Sequence, residues 1–94
     1  MFRVFFTSRA DRQFSELPGE LRQKIYSEIR TLSENPSLHP RVRKVEGTKF
    51  GYRLRVGRWR ILFALLSGEK RIEIVDIFLK KGKEDYRKRR KFLG

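Results

Sequence analysis

The chain has 94 residues, enough for one compact domain over residues 1–94 with a single modest core. No Cys and one His exclude a disulfide scaffold, a Cys-based zinc site, a thiol nucleophile and paired-imidazole chemistry. With 24 Lys and Arg against 11 Asp and Glu, the formal net charge of +13 points to a polyanionic partner, most often nucleic acid.

Phe2-Arg3-Val4-Phe5-Phe6 is aromatic and β-branched and stops at Thr7-Ser8, which predicts a first strand. Thr7 or Ser8 then caps a helix running to Leu17, with Ala10, Phe14 and Leu17 on one face. Pro18-Gly19 interrupts it. Leu21, Ile25, Ile29 and Leu32 make the apolar stripe of a second helix, which ends at Asn35-Pro36. The two helices are expected to form an antiparallel hairpin that covers a sheet. His39, beside Pro40 in a loop, reads as a surface residue, and Arg41 to Glu46 can form a short strand.

From Tyr52 the period changes to two. Tyr52, Leu54 and Val56 alternate with Arg53 and Arg55, and Gly57-Arg58 supplies a two-residue turn. Pairing Val56 with Trp59 sets Leu54 opposite Ile61 and Tyr52 opposite Phe63, so three apolar pairs share one side. A turn near Gly68-Glu69 returns Arg71 to Leu79 as a further strand. Strict alternation lays Ile72, Ile74 and Phe78 over Leu65, Phe63 and Trp59. It also sets Asp76 on that apolar side, opposite Ile61, where only a bulge or a buried hydrogen bond would accommodate it. Residues beyond Leu79 are predicted as a short terminal helix or ordered tail. The expected class is α+β: an antiparallel sheet, from the N-terminal strand and a C-terminal meander, covered on one face by the helix hairpin. Trp59, Phe63 and Phe78 are assigned to the core under the helices, not to a base-stacking platform.

The charge is concentrated in two blocks. Residues 41–60 hold eight basic side chains and one acidic, and residues 80–94 hold eight and two. On the side away from the apolar pairs, Arg55 faces Arg60, with Arg53 two residues along. Like charges opposed on a sheet are unfavourable by about 0.2–1 kcal/mol, and Lys with Glu would serve a merely solvated face without that repulsion. Guanidinium groups on rigid strands suit a phosphate, with paired N–H donors. Lys80, Lys81 and Tyr86 follow the last strand, and Ile77 is expected beside Arg60. An amine and a phenol among guanidinium groups can supply proton transfer and stabilise transition-state charge. The Arg87–Lys91 run reads as a solvated or backbone-contacting patch. An anionic membrane surface or an acidic protein is the alternative partner.

These pieces resemble the RelE/ParE toxin superfamily of prokaryotic toxin–antitoxin systems. The resemblance is carried by the first strand, the helix pair with LPGELRQKI, the stretch VEG…YRLRVGRWRILFAL and the last strand entering FLKKGKEDY. It implies a RelE-like fold. For the RelE branch it implies a ribosome-dependent endoribonuclease, an mRNA interferase that cuts mRNA in the A site by 2′-OH attack, with no metal and no cofactor. Carried over residue by residue, Arg60, Tyr86 and Lys80 or Lys81 are the catalytic candidates. Arg53, Arg55, Lys83 and Arg87 are the RNA-binding candidates. Where RelE members have lysines, this chain has Arg53 and Arg55, and arginine does not give up its proton. The base therefore falls to Tyr86 or a lysine of the 80–83 cluster. The implied partners are an acidic antitoxin, the ribosome and mRNA. The ParE branch implies instead a non-catalytic gyrase inhibitor, and a basic RNA-binding module is the remaining alternative. With no 18-residue apolar run, and a start that breaks into charge too early for a secretory signal, no membrane association and a cytoplasmic location are expected.

Overall fold

A helical stripe and an alternating strand each leave one apolar face, and here the two cover one another. The computed structural model describes residues 1–82 and 84–93, the side chains of Glu84 and Asp85 apart. Its strands are β1 (Arg3–Phe6), β2 (Val42–Lys44), β3 (Gly51–Val56), β4 (Trp59–Leu66) and β5 (Arg71–Leu79). Its helices are α1 (Ser8–Ser15), α2 (Gly19–Glu34) and α3 (Glu84–Arg89), the last continued by a 3₁₀ turn at Arg90–Leu93. Thr7 caps α1, its Oγ1 accepting the Ala10 N–H at 3.2 Å. α2 stops at Glu34 because Pro36 disfavours helical backbone at Asn35. Among the described residues no helix is long and apolar enough to cross a membrane.

The strands form one sheet in the order β1-β5-β4-β3-β2. β2 to β5 make the expected antiparallel meander, but β1 joins β5 in parallel, Val4 beside Ile72 and Phe6 beside Ile74. β1 leads into helices rather than a hairpin, so no turn dictates its direction. The helix-side core brings Ile25, Ile29 and Leu32 of α2 against Leu54, Ile61 and Phe63, all nearly or fully buried.

Between β3 and β4 the register is as expected, Val56 with Trp59, Leu54 with Ile61 and Arg55 with Arg60. Between β4 and β5 it departs part-way. Leu65 meets Ile72 and Phe63 meets Ile74, but Leu62 then meets Asp76, leaving Val75 as the extra residue of a β-bulge. One inserted residue turns every later side chain to the other face. Ile77 therefore sits beside Ile61 in the helix-side core rather than beside Arg60. Phe78 pairs with Arg60 rather than Trp59 and belongs to a second core on the opposite face. That core comprises Val45, Leu62, Val75 and Phe78, and Tyr86, Phe92 and Leu93 cover it. The face opposite the two helices is thus partly roofed by α3 and its 3₁₀ turn.

The bulge also resolves Asp76, which is fully buried yet well satisfied. Its carboxylate accepts from Gln13 Nε2 at 2.9 Å and Arg9 Nη2 at 3.2 Å on α1, and from Arg89 Nη1 at 2.9 Å on α3. Gln13 Oε1 in turn accepts the Ile77 N–H at 2.7 Å, occupying a ladder position beyond the reach of β1. A buried carboxylate is tolerated when charged and polar donors surround it in this way.

Candidate active site

On the face left open by α1 and α2, β2, β3 and β4 line up their arginines. Arg43 faces Arg53 across β2–β3, and Arg55 faces Arg60 across β3–β4. Among the described residues no carboxylate stands within ion-pair distance of any of the four. Two adjacent like-charged pairs, each unfavourable by about 0.2–1 kcal/mol, make a strip of uncompensated positive charge.

This strip forms one wall of a cleft of about 270 Å³. Arg53, Arg55, Arg60, Lys80 and Tyr86 line it together, with Arg41 and Arg43 completing the wall. Arg60 is fixed by its own turn, Nη1 donating to the carbonyls of Gly57 and Trp59, each at 2.8 Å. Nε and Nη2 are left as donors in a rigid fork. The turn depends on Gly57, whose φ of +60° favours glycine although no neighbour would crowd a Cβ.

Tyr86 enters the cleft from α3. Its ring meets Phe78 edge-on at 6.1 Å, with the Arg53 guanidinium 4.5 Å and the Lys80 ammonium 5.2 Å from its centroid. The Tyr86 Oη is buried and has no hydrogen-bond partner among the described residues. An unsatisfied buried hydroxyl is unfavourable by about 1–3 kcal/mol, so its hydrogen-bonding capacity is held open at this position. Among the described residues no three His, Cys, Asp or Glu converge as they would around a metal ion.

Of the sequence-predicted residues, Arg53, Arg55, Arg60, Lys80 and Tyr86 come together. Lys80 extends the β4–β5 ladder, its N–H bonding Arg58 O at 2.9 Å, whereas Lys81 is exposed and does not line the cleft. Arg87 lines an adjoining cleft, and Lys83 lies outside the described residues. Sequence reasoning missed Arg41 and Arg43, although Arg41-Val42-Arg43 repeats the arginine–apolar alternation of β3. It also misread His39, which is buried, not superficial. His39 Nδ1 accepts the Arg41 N–H at 3.2 Å, and Nε2 lies 3.6 Å from Glu28, away from the cleft. Burial lowers the His39 pKa, Arg41 adds to the lowering, and Glu28 opposes it.

The same architecture recurs in known proteins. The model of the ParE toxin of type II toxin–antitoxin systems, parDE, matches residues 4–86. The chain belongs to the ParE toxin family, within the RelE/ParE superfamily. It is a toxin of a toxin–antitoxin system of the RelBE/ParDE kind. The isolated E. coli RelE toxin superposes with a TM-score of 0.76 at 14% identity, covering 100% of both chains. The archaeal RelE–RelB complex from Pyrococcus horikoshii OT3 gives 0.72 at 23% identity, over 83% of this toxin and 93% of that chain. The RelB–RelE antitoxin–toxin complex from Methanococcus jannaschii gives 0.70 at 24%, over 88% and 98%. At such identities these likenesses establish the fold. Among curated proteins, no sequence matches the toxin.

Proposed function

We propose that this toxin is a ribosome-dependent endoribonuclease, acting in the cytoplasm on mRNA in the A site. The observation that carries the reading is the cleft walled together by Arg53, Arg55, Arg60, Lys80 and Tyr86, whose buried hydroxyl has no hydrogen-bond partner among the described residues. In the proposed step a 2′-OH gives its proton to the base and its oxygen attacks the adjacent phosphorus. The P–O5′ bond breaks, the 5′ oxygen leaves with a proton, and a 2′,3′-cyclic phosphate remains. Tyr86 accepts or orients the attacking proton, and the Lys80 ammonium protonates the leaving oxygen. Arg60, held in place by the turn carbonyls, directs its remaining donors at the charge that develops on the non-bridging phosphoryl oxygens. Because guanidinium groups supply the positive charge, the reaction is proposed to need no metal or cofactor.

The partner proposed for neutralisation is an acidic antitoxin that covers the Arg53, Arg55 and Arg60 face or displaces residues 80–94. The solved complexes of RelE with RelB from two archaea support a protein partner. The match to a ParE toxin model favours a second reading, non-catalytic inhibition of DNA gyrase. Purified toxin added to programmed ribosomes, with and without chelator, and separately to a supercoiling reaction tests both. Cleaved mRNA with unaffected supercoiling supports the ribonuclease; intact mRNA with blocked supercoiling overturns it.

A further inference from the structure

A second cleft, of about 430 Å³, adjoins the first and shares Arg43, Arg53 and Tyr86 with it. Its remaining wall carries Lys44, Arg87 and Arg90, with Glu46 as the acidic side chain on the lining. Main-chain oxygens anchor two of these cations, Glu46 O accepting from Arg90 Nη1 at 3.3 Å and Thr48 O from Lys44 Nζ at 2.5 Å. Anchorage by carbonyls orders the side chains while leaving their charge unneutralised. Among the described residues none of Arg43, Lys44, Arg53, Arg87 and Arg90 has a carboxylate within ion-pair distance. The volume is on the scale of a small-ligand site, about 300–1,000 Å³. Tyr86 and Arg53 line both clefts, the Arg53 guanidinium lying over the Tyr86 ring 4.5 Å from its centroid.

Two adjoining cationic clefts that share Arg53 and Tyr86 suit two successive anions on one chain. We propose that the second cleft binds the phosphate next to the cleaved one on the same single RNA strand. The proposal rests on the reading of the first cleft as the site of RNA cleavage. Arg53 bridges the two phosphates, while Arg87 and Arg90 engage only the second. The recognised unit is then a trinucleotide with two phosphodiesters. The strand is proposed to be single, since protein recognition of RNA targets mainly single strands whose bases can splay apart.

The test uses four non-cleavable 2′-O-methyl oligonucleotides at low salt, followed by NMR titration of the toxin. They are a dinucleotide, a trinucleotide, and trinucleotides in which either linkage is a neutral methylphosphonate. The expected result is that the trinucleotide binds at least about ten-fold more tightly than the dinucleotide. The methylphosphonate forms should fall back to the dinucleotide's affinity, and so should the trinucleotide on the Arg87→Gln/Arg90→Gln double variant. A trinucleotide that gains nothing, or a gain that survives the methylphosphonate or the double variant, overturns the second phosphate site and leaves the cleavage reading intact. No binding of any oligonucleotide at low salt overturns the RNA reading itself, and this proposal with it.

Discussion

Arg89 donates Nη1 to both carboxylate oxygens of the fully buried Asp76, at 2.9 and 3.2 Å, and so fastens the terminal helix to an interior strand. Tyr86 stands one turn earlier on that helix, so the same fastening sets the depth of its ring in the cleft. Asp76→Ala removes one member of a buried ion pair and is expected to destabilise the fold by about 3–5 kcal/mol in urea unfolding. Arg89→Ala is expected to lose about 1.5–3 kcal/mol, as for a hydrogen bond to a charged group. Amide exchange should accelerate in α3 more than in β3 and β4. Uniform acceleration throughout the sheet would show that the clasp holds the whole fold rather than the helix.

Tyr86→Phe deletes a hydroxyl that has no partner among the described residues. Thermal stability should therefore be unchanged or slightly raised. Single-turnover cleavage on programmed ribosomes should slow by roughly 10²-fold or more if the phenol handles the proton. A variant that cuts at the parent rate assigns Tyr86 to packing, and the base is then sought at Lys80. Lys80→Ala should slow cleavage more than Lys81→Ala, since only Lys80 lines the cleft.

Arg60 and Arg55 face each other, and their substitutions should show in different measurements. Arg60→Ala removes an anchored donor and is expected to lower the cleavage rate about 10²–10³-fold, with a smaller effect on ribosome affinity. Arg55→Thr relieves a like-charge pair and should raise stability by about 0.2–1 kcal/mol while weakening ribosome binding. A less stable Arg55→Thr protein, measured by urea midpoint, would contradict the repulsion.

His39 couples stability to pH. Its folded pKa lies below the ordinary 6.5, so below that pH the unfolded chain takes up the proton more readily than the folded one. Stability from this residue is complete above pH 6.5, falls as the pH drops below it, and levels off once the buried imidazole is also protonated. Urea midpoints at about pH 7.5 and about pH 5.5 should differ more for the parent than for His39→Gln. Parallel shifts in both proteins would remove His39 as the cause.

The hairpin around Gly57 was legible because one register satisfied three apolar pairs and the turn at once, and the facing arginines followed from it. Asp76 carried the signal of the bulge. On strict alternation it fell among Ile74 and Phe78, a placement that a carboxylate resists, and one extra residue removes the conflict. Alternation alone could not locate that residue, because Val75 and Ile77 are equally apolar on either reading. The direction of β1 was illegible for a different reason: four residues without a hairpin partner carry no orientation. Arg41 and Arg43 escaped notice because β2 is three residues long, too short for a period to declare itself.

Strands β3 and β4 carry two independent texts on one ribbon. Side chains at one parity hold the helices, while at the other Arg53, Arg55 and Arg60 face the cleft and Leu62 sits in the second core, so the arginines can be rewritten with little disturbance of the helix-side set. A lineage built on such a ribbon can change its target by exchanging the outward letters while the inward ones keep the same scaffold. Toxins with different victims can therefore share a backbone long after their sequences have drifted apart.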